Sequence, residues 1–566
     1  MGERFLAKLS SFEDWTKKWW AKALLFTSFF VFVLLLHFAF CFRLDAFYDT
    51  ISPNEHGFRS VACFYIALAL FLLSVLLCVL FILFLWKKRA LNERRLLFAL
   101  TSVTAFLVLF LSGVRNFNNN AFTHDFAVFS DGGHWSIIYD IYKDGAIPPV
   151  DLDNQYYQVK FYHAIVAYFA RFFGLFIPKT DVSIALADGS ALSLGDAQAL
   201  ECIRILRAYM GVLLFYFIAR IFLLLFKGKD RKAVLSSCFC FATPALYFVI
   251  FSGNNDLFAL FFSLLSLLLA LEWRERRTYV LTALLALSIA AAMESKLNSA
   301  LIAFPIAYLF LAELLSLWKR KKEGRLPKKE WRSFFWMIAL FALLVFPLSL
   351  FGSVYQSVVY NEPFGYVLDL ERNGPNYMHV DNAFYTPFFR LFAFPSPDLF
   401  FSYYNVRAYF PISGGPSSQY VFGTIDFNAW TAFIKTSLYE EHYPLAFFGY
   451  TSGGVLLSVL FYALAVLVSL IVFAYAIFSL VRYAYEIKEK ERKALPSESA
   501  IFLLIIFLTQ AAAYLYFCYR YPVGCTMNAR YALLLYLPFG ACFASFLTSL
   551  GQRKRAPIFK KGDPSL

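Results

Sequence analysis

Residues 61–85 read VACFYIALALFLLSVLLCVLFILFL and residues 455–480 read VLLSVLFYALAVLVSLIVFAYAIFSL, and neither stretch contains an Asp, Glu, Lys, Arg or His. A helix that crosses about 30 Å of hydrocarbon needs about 20 such residues, because its backbone rises about 1.5 Å per residue. Both runs exceed that length. The chain around them has 566 residues, of which 60% are hydrophobic, 20% aromatic and only 16% charged, with a mean hydropathy of +0.59. A water-soluble domain with that balance has too few polar side chains to cover its surface. The sequence therefore predicts an all-α polytopic membrane protein.

Working outward from these two runs, apolar stretches of helical length predict about twelve spans, near 23–42, 60–86, 96–113, 205–226, 233–252, 256–272, 278–293, 297–317, 333–351, 453–482, 499–519 and 529–549. Lys and Arg cluster at 87–95, 227–232, 274–277, 319–332, 488–493 and 553–561, which is every second junction. The positive-inside rule makes these junctions and both termini cytoplasmic. Two large loops, 114–204 and 352–452, are then extracytoplasmic. Six of the seven histidines, His56, His124, His134, His163, His379 and His442, fall on that same side, and only His37 lies in a span.

The chain divides accordingly into a three-helix membrane segment (1–113), a first outer loop (114–204), central spans (205–351), a second outer loop (352–452), and C-terminal spans with a cytoplasmic tail (453–566). Within the first loop, 157–176 is apolar and aromatic but is interrupted by Lys160, His163 and Arg171. That pattern predicts an interfacial helix rather than a further span. Residues 181–196 read as a polar hairpin or turn.

The formal charge of +14 does not point to nucleic acid, because the basic residues sit in short clusters between apolar runs. The nine cysteines are odd in number, lie mostly inside apolar segments and show neither disulfide nor zinc spacing. Lys17, Lys18 and Lys22 precede the first apolar run, and no small-residue cleavage site follows it, as expected of a retained signal anchor. Asp151-Leu152-Asp153 has the form of a metal-binding DxD, but three-residue patterns recur by chance. With no phosphate-cradling P-loop or dinucleotide fingerprint either, neither ATP-driven pumping nor a metal cofactor is predicted.

Chemistry is sought where polar residues meet the outer membrane surface. The first loop begins Thr123-His124-Asp125-Phe126 and continues through Asp131-Gly132-Gly133-His134-Trp135. A partly buried Asp there can serve as general base towards an acceptor hydroxyl, and the same spacing serves equally as a local ion pair or a helix cap. Lys296, Arg520 and Arg530 are predicted at outer span ends. A cation in that position either meets an anionic group or snorkels to lipid headgroups.

The run 124–157 resembles the first periplasmic loop of bacterial glycosyltransferases of the GT-C type, near the dolichyl-phosphate-mannose protein mannosyltransferases (family 39). It contains a His-Asp, a Gly-His some nine residues later, a Gly-x-x-Pro turn and a Gln-Tyr-Tyr. Further stretches follow in the same order: Asn254-Asn255-Asp256, Glu294-Ser295-Lys296-Leu297-Asn298, Asp426-Phe427-Asn428-Ala429-Trp430 with Lys435-Thr436-Ser437-Leu438, and Cys525-Thr526-Met527-Asn528-Ala529-Arg530-Tyr531. Relatives often read Gln-aromatic-Tyr-His-Pro-Pro-Leu-His-His where this chain has Gln155-Tyr156-Tyr157-Gln158-Val159-Lys160-Phe161-Tyr162-His163. If those histidines bind acceptor in the family, the acceptor here differs.

The resemblance implies a GT-C-like bundle in the inner or plasma membrane and an inverting transfer of a sugar from a polyprenyl-phosphate donor to a lipid, glycan or protein acceptor. It makes Asp125 the catalytic carboxylate, with Asp131 the fallback. Lys296, Arg520 and Arg530 become the donor-phosphate cations, because charge develops on the departing phosphate. His124, His134, Tyr157, His163, Asp256, Glu294, Asn528 and Tyr531 are the remaining substrate-binding candidates. Two other readings compete: a transporter or flippase of a lipid-linked saccharide, and an oligosaccharyltransferase or ligase of the same fold. A transporter should carry ionisable groups in mid-span, where candidates are few, chiefly Arg207, Glu313 and His37, and all but His37 lie near span ends.

Overall fold

The computed structural model describes residues 24–25, 27–33, 61–114, 133–150, 156–177, 183–185, 191–361, 364, 429–439, 452–488, 497–521 and 527–553. Among these residues nine helices are long and apolar enough to cross a membrane, or ten when one bent pair counts as a single span. The expected dozen is thus met in part. The first predicted span lies largely outside the described residues, and Tyr279–Ser295 is apolar but only 17 residues long.

In chain order the helices are α1 (Val61–Lys87), α2 (Glu93–Val114), α3 (His134–Asp144), α4 (Phe161–Gly174), α5 (Leu194–Glu201), α6 (Ile203–Leu225), α7 (Asp230–Phe241), α8 (Pro244–Phe251), α9 (Asp256–Glu275) and α10 (Tyr279–Ser295). They continue with α11 (Ala303–Lys322), α12 (Lys328–Ser349), α13 (Phe351–Tyr360), α14 (Ala429–Tyr439), α15 (Ser452–Lys488), α16 (Glu498–Arg520) and α17 (Tyr536–Arg553). Short 3-10 segments, Leu297–Ile302 and Ala529–Leu535, precede α11 and α17. The polar stretch expected near 181–196 contains the hairpin β1 (Ser183–Ala185) and β2 (Ala191–Ser193), paired antiparallel with Ser183 opposite Ser193.

Helices α6 and α9 form the centre, with most of their side chains buried. Helix α9 packs on α10, α10 on α12, α6 on α2 and α7, and α7 on α17. Helices α1 and α15 are peripheral and turn leucines such as Leu73, Leu77, Leu80, Leu460 and Leu467 outward, as a lipid-facing surface requires. Hydroxyls within the helices bond to the carbonyl one turn back, as Thr101 does to Leu97, Ser237 to Ala233 and Thr509 to Ile505. This satisfies them where no water reaches.

Residues 233–252, expected as one span, are instead α7 and α8, bent by 55° at Ala242–Thr243. Pro244 lacks the N–H that would continue α7, and it fits the first turn of a new helix. The carbonyls at the far end of α8 are met by buried Arg207 from α6, which donates Nε to Ile250 (3.0 Å) and Nη2 to Val249 (3.2 Å). The guanidinium serves as a C-terminal cap.

At the end of the bundle that carries the basic clusters, charges from four helices are paired. Glu313 on α11 accepts from both Arg274 and Arg277. Arg274 also grips Glu498 of α16 at 2.9 and 3.1 Å, and Glu330 of α12 takes Arg277 at 3.2 Å and Arg320 through two bonds of 2.8 and 2.9 Å. The Glu313 side chain is only 3% exposed. Removing one partner of such a buried pair leaves uncompensated charge and costs about 3–5 kcal/mol. Glu313→Gln should therefore lower the thermal midpoint of the detergent-solubilised protein by several degrees. An unchanged midpoint would show that these pairs do not hold the helices together.

Candidate functional site

The opposite end of the bundle is built around the start of α9. Asn254 accepts from the Ser252 hydroxyl (2.7 Å) and from the Asp256 backbone N–H (3.2 Å), which turns the chain into the helix. Asn255 fills the cap position, but its amide reaches sideways, donating to the Ser295 carbonyl (2.7 Å) and to Gln158 (3.0 Å). The Asp256 carboxylate is consequently left to face its neighbours rather than to cap the helix.

Those neighbours arrive from breaks in two other spans. Helix α10 stops at Ser295, and Lys296 adopts an extended backbone (φ −160°, ψ 124°) that swings its ammonium onto the Asp256 carboxylate. Arg530 stands at the head of the 3-10 segment before α17, where Asn528 caps the turn by accepting the Arg530 N–H at 2.9 Å. Its Nε lies 4.0 Å from the second Asp256 oxygen. Both cations rest against the Tyr531 ring, Lys296 Nζ at 4.5 Å and the Arg530 guanidinium carbon at 5.3 Å from its centroid. Phe517 of α16 backs that ring at 4.8 Å. Four predicted site residues, Asp256, Lys296, Arg530 and Tyr531, thus form one cluster.

Other predicted residues have different surroundings. Arg520 ends α16 exposed, over Tyr521 at 5.6 Å, and no ion pair or hydrogen bond joins it to the cluster. Glu294 turns away from its neighbour Lys296 and accepts the Gly352 N–H with both oxygens (2.9 and 3.1 Å), capping the start of α13. The Tyr157 carbonyl accepts from Gln356 at 3.0 Å. His124, Asp125 and Asp131 lie outside the described residues, as do 151–153.

The helices of the first loop dock on this end through close approaches. Trp135 packs so tightly on Gly253 that a Cβ there would stand 2.2 Å from the indole nitrogen. Tyr162 donates to the Gly253 carbonyl (2.7 Å) and receives from Arg207 (3.1 Å). His134 opens α3, and its Nδ1 lies 2.8 Å from Nε2 of His163 on α4, the two rings stacked. Burial, together with His134 and Lys160, holds His163 well below the usual histidine range.

Sequence reading passed over Lys160 as a functional residue. It is buried, donates to the Tyr156 carbonyl and lies over the Tyr156 ring, whose hydroxyl bonds to Asp140. A lysine inside an apolar segment was the available signal. Among the described residues no group of three or more His, Cys, Asp or Glu is placed to hold a metal ion. No family model, curated protein or solved structure matches the chain.

Burial pushes Lys160 from the ordinary 10.5 down to about 7. Between those values the unfolded chain binds more protons than the folded one, so stability rises with pH through that window. Lys160→Met should flatten that slope and raise the melting temperature at pH 7.5 by a few degrees. A variant that melts like the wild type at every pH from 7 to 10 would place the ammonium in solvent.

Proposed function

We propose that the protein is a membrane glycosyltransferase of GT-C type that moves a sugar from a polyprenyl-phosphate donor to an acceptor on the extracytoplasmic face, with inversion. The observation that carries this reading is the gathering of Lys296, Arg530 and Tyr531 around Asp256. With Asp256 these residues come from three helix breaks far apart in sequence, at the end of the bundle away from the paired basic clusters. Cations that merely snorkel to headgroups spread around a perimeter and do not share an aromatic ring.

In this reading the lipid tail lies along the bundle and the phosphate rests at the two cations. Asp125 takes the proton from the acceptor hydroxyl as that oxygen attacks the anomeric carbon. The bond to the phosphate oxygen breaks on the opposite face, and Lys296 and Arg530 stabilise the charge that the departing phosphate gains. Tyr531 fixes the direction of both cations.

The transporter reading has less support. Of its candidate ions, Arg207 caps α8 and Glu313 binds two arginines, so both are committed to holding helices, and His37 lies outside the described residues. The ligase reading shares the cation cluster and differs in the donor.

The test is transfer from a panel of polyprenyl-phosphate sugars in proteoliposomes. Asp125→Asn should reduce turnover by about a hundredfold or more with folding intact, the usual scale for loss of a general base. Arg530→Gln should weaken donor binding more than acceptor binding. Wild-type turnover in both variants would refute the assignment.

A further inference from the structure

The turn between α11 and α12 carries eight Lys and Arg but only two Glu within residues 319–332. It is a tight hairpin: Gly324 takes a left-handed backbone (φ +69°), the Arg325 N–H returns to the Arg320 carbonyl at 2.9 Å, and Pro327 precedes α12. Both glutamates are already matched, Glu330 by Arg320 and Arg277, and Glu323 by Arg325. Lys319, Lys321, Lys322, Lys328, Lys329 and Arg332 remain exposed, and among the described residues no carboxylate pairs with them. The other described junctions leave fewer cations over. Arg94 holds Asp230, Lys227 holds Glu275, and Arg274 and Arg277 are taken by Glu313.

Aromatic rings set the depth of this turn. Trp318 on α11 and Phe335 and Trp336 on α12 face outward beneath it. The Lys322 ammonium lies 4.9 Å from the Trp318 ring centroid and the Lys321 ammonium 4.4 Å from that of Trp331. Tryptophan settles at headgroup level, and lysine stems extend from there to the phosphates. We infer that the α11–α12 turn is a binding site for anionic phospholipid of the adjoining leaflet, whose phosphates pair with these six cations above the tryptophans. The site involves neither the Asp256 cluster nor sugar transfer and stands independently of both.

The experiment titrates the full-length protein in detergent with phosphatidylglycerol or phosphatidylcholine of the same acyl chains and reads bound lipid by native mass spectrometry. Wild type should prefer phosphatidylglycerol by about tenfold or more, since each cation near an anionic surface contributes about fivefold. Changing Lys321, Lys322, Lys328 and Lys329 together to Gln should remove most of that preference, and changing the same four to Arg should keep it. An equal loss of charge elsewhere, Lys87, Lys88, Lys229 and Arg231 to Gln, should leave it nearly intact. Melting curves and gel filtration establish that each variant is folded. In nanodiscs, dibrominated phosphatidylglycerol should quench wild-type tryptophan fluorescence more than dibrominated phosphatidylcholine, and Trp318→Phe with Trp336→Phe should remove most of the excess. Equal affinity of wild type for the two lipids, equal quenching by them, or the same loss in both glutamine variants would overturn the site.

Discussion

Hydrocarbon offers neither water to a helix end nor counter-ions to a charge, so every polar group that enters the bundle has to be met by another part of the chain. The described architecture follows from that constraint. At one end Glu313, Glu330 and Glu498 gather arginines from the helix junctions, locking α9, α11, α12 and α16 in register. At the other end Asp256 gathers Lys296 and Arg530. Between the two, the bend between α7 and α8 is stabilised by Arg207 on the carbonyls of α8. The two ends differ in kind. At the first, three glutamates from three helices share the arginines, whereas at the second the described contacts join Asp256 to two cations.

The same constraint explains how the first loop is held. Helix α3 packs on α4, and α4 packs in turn on α6 and α10. Gly253 allows Trp135 to come close, and its carbonyl anchors Tyr162. Gly352 does the same on the other side, fitting against Val159 and lending its N–H to Glu294. Asn255 ties the two regions together, with one hand on Gln158 and the other on the end of α10. The segment 156–163 is therefore fixed to the span ends next to the cation cluster, and a reaction that needs loop and cluster in one place has a rigid floor.

Much of this was legible in the sequence, and the rest was not for identifiable reasons. Apolar length located α6 and α9 to within two or three residues, and charge alternation put Asp256, Lys296 and Arg530 at one end because helix polarity and loop charge are independent signals that agree there. The hairpin at 183–193 and helix α4 were readable from polarity and period. The bend at 242–243 escapes hydropathy, which averages over a kink, although Pro244 announces it. Helix α10 at 17 residues is shorter than a typical span, and its length depends on the extended Lys296 backbone, a tertiary feature. Glu294 and Lys296 stand two residues apart in one quoted stretch, and both are site candidates there. The helix ends between them, so their side chains diverge, one to cap α13 and the other to Asp256. Lys160 looked like an interruption in an apolar helix; its burial follows from packing that periodicity does not encode.

The central claim is that a lipid phosphate sits at the Asp256 cluster, and a cryo-electron microscopy structure of the protein in nanodiscs with a short-chain polyprenyl phosphate tests it most directly. The account predicts phosphate density within hydrogen-bond distance of both Lys296 and Arg530, with the lipid tail running along the bundle from that point. Phosphate density confined to the bundle's perimeter, with Lys296 and Arg530 still closed on Asp256 at saturating lipid, would contradict it.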